Sequence, residues 1–264
     1  MKAVMISSLK NPTIKYVRSL QSRSKARRAE KAFAIEGVRL LEEAYHSNWE
    51  ILLGLYSQGL SKRGMHLIEA FQSQGTAVEA VTPNVMRAAS DTESPQGILA
   101  VMRMRSLPIP EILDFLLIVD QVRNPGNLGT ILRTAAAVGV QAVLLTPGTA
   151  DQYSPKVLRG AMGAHFRMPI HNANWDEIRS LVENVGMRVY LAEVASGQVY
   201  HQVDYQLPSA LIIGGEASGA GGSARQLADT LVHIPMPGGG ESLNASVAAG
   251  ILRFEVSRQR GIML

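Results

Sequence analysis

The stretch Phe115-Leu-Leu-Ile-Val-Asp-Gln-Val-Arg-Asn-Pro-Gly-Asn-Leu-Gly-Thr-Ile-Leu-Arg133 decides how this chain folds. Its opening apolar run, Phe115–Val119, reads as a buried strand. Asn124, Pro125 and Gly126 force a turn, and Ile131–Val138 reads as a helix. A strand that passes through glycines into a helix builds a site. Glycine lets backbone approach a ligand, and a helix N-terminus favours anions. Asn127 and Arg133 add a neutral hydrogen-bonder and a planar cation six residues apart. As a plain connection, the segment needs Asn127 only as a helix cap. That leaves Arg133 unexplained, because a guanidinium within an otherwise apolar helix is costly when buried unpaired.

Working outward, two more polar, glycine-rich loops follow predicted strands. After strand 209–213 comes Gly214-Gly-Glu-Ala-Ser-Gly219, which holds a single acid, Glu216. After strand 231–235 comes Pro235-Met-Pro-Gly-Gly-Gly-Glu-Ser-Leu-Asn-Ala-Ser246. Its prolines exclude regular pairing and its glycines permit unusual backbone angles. Ser242 or Asn244 suits the N-cap of a final helix over 244–260. Strands alternate with helices from residue 115 onward, which argues for a mostly parallel sheet covered on both faces. Ligands in such sheets sit beyond the carboxyl ends of the strands, where all three loops emerge.

Upstream, alternating short strands and helices over 33–102 describe a small α/β unit. The stiff Ser106-Leu-Pro-Ile-Pro110 follows it. The expected domains are therefore 1–105 and 106–264. The chain of 264 residues has no cysteine, 46% apolar and 18% charged residues. Disulfides, thiolate chemistry and cysteine-ligated zinc are excluded. The histidines lack metal-ligand spacing, so no metal is expected. Neither a membrane span nor a signal peptide is evident, and a cytoplasmic location is expected.

Net charge is +4, yet residues 1–31 hold nine Lys or Arg against one acid, Glu30. The basic character therefore sits in an N-terminal arm, which suits a nucleic-acid backbone. Lys10, Lys15, Arg18, Arg23, Lys25, Arg27, Arg28 and Arg39 are the expected phosphate contacts. Residues 22–31 read as a mobile link or helix end. Without a ligand, the same charges describe a solvated helix face.

Gly219-Ala-Gly-Gly-Ser-Ala224 also fits a relaxed dinucleotide pattern, with Glu241 twenty residues after Gly221. The preceding strand ends too early for that motif, and Glu241 lies in a loop. A nicotinamide enzyme would take up NAD and ignore RNA.

Together the loops resemble the SpoU/TrmH family of RNA ribose 2′-O-methyltransferases, within the SPOUT superfamily. The resemblance rests on Asn127-x-Gly129-x-x-x-Arg133 running on to Gly139, on Gly214-Gly-Glu216-x-x-Gly219, and on Ile234-Pro-Met with Glu241-Ser-Leu-Asn-Ala-Ser246. Lys31–Arg39 and Pro95–Ala100 resemble the two ends of the family's small substrate-binding domain. Gly215 and Ala217 depart from the commoner second motif, and Gly238–Gly240 is unusually glycine-rich.

The resemblance implies an α/β catalytic domain with a deep C-terminal trefoil knot, preceded by a small α/β substrate-binding domain. Nothing in the sequence pattern itself shows a knot, and the general expectation for protein chains is against one. It implies S-adenosylmethionine as methyl donor, structured RNA as substrate and a homodimer. Ribosomal RNA is favoured by the separate small domain, and tRNA is the alternative. By position, Arg133, Asn127, Glu216, Ser242 and Asn244 form the implied catalytic group. Gly214, Gly215, Ile234, Met236, Leu243 and Ala245 form the implied donor site. A catalytically silent RNA-binding protein on this fold is the rival, and the intact catalytic set argues against it.

Overall fold

A computed structural model describes residues 5–194, 196–216 and 219–261. Lys2 of the basic arm and Ala217 and Ser218 of the second loop lie outside them. The chain divides into two compact units.

The first unit holds the chain up to Arg105 together with Tyr153–Phe166. In chain order it contains α1 (Pro12–Ser22), α2 (Ser24–Glu30), β1 (Ala32–Glu36), α3 (Val38–His46), β2 (Ile51–Ser57), α4 (Lys62–Ser73), β3 (Ala77–Val81), α5 (Pro83–Ala89) and β4 (Ile98–Arg103). The strands form one sheet in the order β1-β4-β2-β3. β4 runs antiparallel to β1 and β2, and β3 runs parallel to β2. Asn11 caps α1 by accepting from Thr13 N at 2.8 Å, with Pro12 in the first turn. Ile14, Val17 and Leu20 then point inward, each fully buried against strand and α5 residues.

The basic arm is therefore partly core. Residues 22–31, expected as a mobile link or helix end, form α2. Arg27, expected on phosphate, is only 4% exposed. Its guanidinium donates to Leu20 O at 2.6 Å and to Gln21 O at 3.3 Å. Those carbonyls close α1, where a helix leaves its acceptors unpaired and carries partial negative charge.

The second unit begins at Ser106 and contains β5 (Phe115–Asp120), α6 (Pro125–Ala137) and β6 (Ala142–Leu145). The chain then contributes α7 (Pro155–Ala161) and the turn Ala164–Phe166 to the first unit. Sequence reading runs this segment with the second domain. Aromatic packing explains its placement: Tyr153 lies on Phe33 with ring centroids 4.7 Å apart, and Phe166 meets Trp49 at 5.1 Å. The second unit resumes with β7 (Ile170–Asn172), α8 (Trp175–Val185), β8 (Arg188–Glu193), β9 (Gln198–Val199), β10 (Ser209–Gly214), α9 (Gly222–Leu227), β11 (Thr230–His233) and α10 (Ala245–Gln259).

Its sheet runs β7-β6-β5-β10-β8-β11-β9, and every neighbouring pair is parallel. The short edge strand β9 has no counterpart in the sequence reading. Residues 115–119 of β5 and 210–213 of β10 are apolar throughout, as the buried part of a strand covered on both faces must be. Register decides where the site lies. Asp120, the last residue of β5, pairs with Gly214, the last of β10. Glu193, the last of β8, pairs with His233, the last of β11. Four adjacent strands thus release their loops at one edge of the sheet.

Candidate active site

The first loop enters α6 through Asn124, whose side chain accepts from Gly126 N at 2.8 Å and Asn127 N at 3.4 Å. Asn124 is the cap, so the Asn127 side chain is not needed for one. Asn127 Nδ2 instead donates to Glu216 Oε1 in the second loop, 2.6 Å away. Its Oδ1 accepts from Asn244 Nδ2 in the third loop at 3.0 Å. One amide therefore joins all three loops. Asn244 also caps α10, its Oδ1 accepting from Ser246 N at 2.9 Å. Capping therefore explains Asn244 only in part, and it does not employ Ser242.

The second loop folds back tightly. Gly219 N donates to Gly215 O at 3.1 Å. A Cβ on Gly214 would lie 2.4 Å from Ala220 N, and one on Gly215 would lie 2.5 Å from Gln121 O. Only glycine fits either place. Asp120, which sequence reading passed over, ties this loop to the first. Its carboxylate is fully buried, accepts from Thr146 Oγ1 at 2.7 Å and receives Gly221 N at 2.8 Å. The apolar run before it hides its role, which depends on a partner 101 residues away.

Beside these loops opens a cavity of about 420 Å³. Every residue of the implied donor site lines it: Gly214, Gly215, Ile234, Met236, Leu243 and Ala245. Glu216, Ser242 and Asn244 also line it, at its exposed rim. Ile213, Val232 and Leu252 supply apolar walls. The size lies within the usual range for small-molecule sites. Apolar walls suit a purine and strand-end backbone suits its polar edges, so these residues fit S-adenosylmethionine.

Arg133 stands apart from the cavity lining, on the exposed face of α6 with Thr130 and Ala137. The argument from a costly buried guanidinium does not hold for it. It holds for Arg253 of α10, which is fully buried. Arg253 donates to Ala249 O and Ile131 O, both at 2.6 Å, and to Thr134 Oγ1. Burial lowers its pKa to about 9. Of the expected phosphate contacts, Lys10, Lys15, Arg18, Arg23, Lys25, Arg28 and Arg39 are exposed, and Arg27 is not.

Residues 114–254 match the SpoU rRNA Methylase family, and residues 11–100 match the MRM3-like substrate binding domain. The chain belongs to the SpoU rRNA methylase family. A family relative of *Bacillus subtilis* (strain 168), the 23S rRNA (guanosine(2553)-2′-O)-methyltransferase RlmP, is 34% identical over 95% of this chain and 98% of its own. The 23S rRNA (uridine(2479)-2′-O)-methyltransferase of *Streptomyces viridochromogenes* is 31% identical over 91% and 87%. The AdoMet-bound rRNA methyltransferase of *Sinorhizobium meliloti* superposes with a TM-score of 0.89 at 30% identity, over 99% of this chain and 98% of that one. The fold is that of the family, which implies the trefoil knot.

Proposed function

We propose that this protein transfers the methyl group of S-adenosylmethionine to a ribose 2′-hydroxyl of ribosomal RNA. The observation that carries this reading is the joining of three loops through Asn127 beside a donor-sized cavity. The two relatives of known target share 23S rRNA and the 2′-oxygen, while their bases differ. The shared chemistry therefore addresses the ribose.

S-adenosylmethionine supplies an activated methyl whose sulfur leaves without protonation. What remains for the protein is to orient the 2′-oxygen against the methyl and let the hydroxyl proton leave to solvent at the exposed rim of the cavity. Backbone at Gly214, Ile234 and Leu243 holds the donor. Asn127 fixes Glu216 and Asn244 at the mouth, where Ser242 faces the incoming ribose. Arg133 grips the adjacent phosphate and polarises the 2′-hydroxyl. The first unit, with its basic α1 and α2 face, holds the RNA, which makes 1–105 the main substrate-binding segment and 106–264 the catalytic one.

The protein acts as a homodimer. α10 turns Val247, 49% exposed, and Phe254, 44% exposed, outward along one stripe with half-buried Ile251, while Arg253 is turned inward. An apolar stripe on a helix is stabilised by a second apolar face. Phe254→Glu should convert the dimer to monomer in sedimentation equilibrium, and unchanged mass would remove this interface. A cytoplasmic location fits an RNA substrate. Among the described residues no helix is long and apolar enough to cross a membrane.

The deciding experiment is transfer of labelled methyl to separated ribosomal and transfer RNA, followed by alkaline digestion. Label in alkali-resistant dinucleotides of ribosomal RNA is the expected result. Label confined to tRNA would replace the substrate, and donor binding without any transfer would favour the silent RNA-binding rival.

A further inference from the structure

Strand register brings a second carboxylate to the cavity. Glu193 ends β8, between β10 and β11, and lines the cavity with Ala192 and Val194. Its side chain is 13% exposed and meets Arg225 of α9 at 2.8 Å. The other acid lining the cavity is Glu216, whose hydrogen-bond partner is the neutral Asn127 amide.

The two carboxylates therefore offer different chemistry. Glu216, bonded to a neutral amide, suits a cation. Arg225 offsets the charge of Glu193, so what Glu193 presents is acceptor oxygen with little net field. An ammonium or sulfonium beside it would also meet the guanidinium. Neutral donors do not face that repulsion. S-adenosylmethionine carries two kinds: the adenine amino group and the ribose 2′,3′-diol. The amino group lies beside ring-nitrogen lone pairs, which repel a carboxylate. A vicinal diol presents two O–H donors, and the Glu193 oxygen that does not face Arg225 can accept both.

We infer that Glu193 accepts from the ribose hydroxyls of the methyl donor and so selects a ribonucleoside over its deoxy counterpart. The inference rests on the cavity being the donor site. Arg225 is a positioning residue in this arrangement, holding the Glu193 carboxylate in place.

Calorimetric titration with S-adenosylhomocysteine and its 2′-deoxy counterpart tests this without turnover. The unaltered protein should bind the ribo form about tenfold more tightly, as expected for hydrogen bonds to a charged acceptor. Glu193→Ala should lose that factor for the ribo form, leave the deoxy form unchanged and so abolish the discrimination. Glu193→Gln, which keeps one acceptor, should retain part of it. Less than twofold discrimination by the unaltered protein overturns the inference whatever the variants do. So does full discrimination by Glu193→Ala. Ile234→Trp, which fills the cavity, should weaken both ligands. If it weakens neither while circular dichroism shows it folded, the donor lies elsewhere and the cavity assignment fails first.

Discussion

Arg133, six residues beyond Asn127, presents its guanidinium on the open face of α6, and the role proposed for it is a grip on a substrate phosphate. Arginine side chains hold their proton far above neutral pH, and removing it near pH 7 costs about 7 kcal/mol. A role as permanent cation is cheaper than a role as base, and it uses the planar fork that lysine lacks. Arg133→Lys should therefore reduce the rate of methyl transfer by at least about tenfold and leave donor affinity unchanged. Near-normal turnover in a single-turnover assay would remove Arg133 from the catalytic group. Sequence pattern singled this residue out for a wrong reason, burial. It passed over Asp120, Glu193 and Arg253, since each acts through a partner distant in the chain: Gly221, Arg225 and Ile131.

Two elements, α6 and α10, set the distance between the first and third loops. Polar bonds join them: Arg253 reaches Ile131 O and Thr134 Oγ1, and Ser257 Oγ donates to Val138 O, just past the end of α6, at 2.8 Å. Arg253→Ala leaves a void and removes the bonds that tie α10 to Ile131 O and Thr134 Oγ1, and should cost about 3 kcal/mol in urea unfolding. Arg253→Met fills the volume without a buried charge and should stay within about 1 kcal/mol of the unaltered protein. Equal losses for the two variants would show that the guanidinium bonds, and not the volume, hold the helices. Further along α10, hydrogen bonding from Arg258 pulls the Glu255 carboxyl below its usual range, against the effect of burial and with help from Gln259. A depressed carboxyl stabilises the fold above its unfolded pKa, and that contribution is lost as pH falls through the lowered value. Glu255→Gln should thus melt lower than the unaltered protein at pH 7, and the gap should close below about pH 4. A gap independent of pH would assign the loss to packing. The alternation of strands and helices was legible because a buried parallel strand must be apolar throughout. The outward turn of Phe254 and the inward turn of Arg253 were not, because α10 carries apolar residues on more than one side and a sequence does not say which side faces a neighbour.

Across the whole molecule, charge is unevenly divided. Residues beyond the arm carry four more acids than bases, while α1 and α2 carry most of the arm's cations. The exposed ones, including Lys15, Arg18 and Arg23, lie over a helix whose other side is core. Removing residues 1–30, the simple test that a detachable tail would invite, would strip Ile14, Val17 and Leu20 from that core. Substitution in place is the sound test. Phosphate contacts release counterions, and each contributes about 0.7 to 0.9 to the slope of log K against log salt. The triple variant Lys15→Ala/Arg18→Ala/Arg23→Ala should therefore bind ribosomal RNA more weakly, with a slope shallower by about 2 to 3. Donor affinity should not change, because the donor cavity lies within the second unit. An unchanged slope in filter binding would move the RNA off this face. It would also leave the asymmetric charge as a solvated surface.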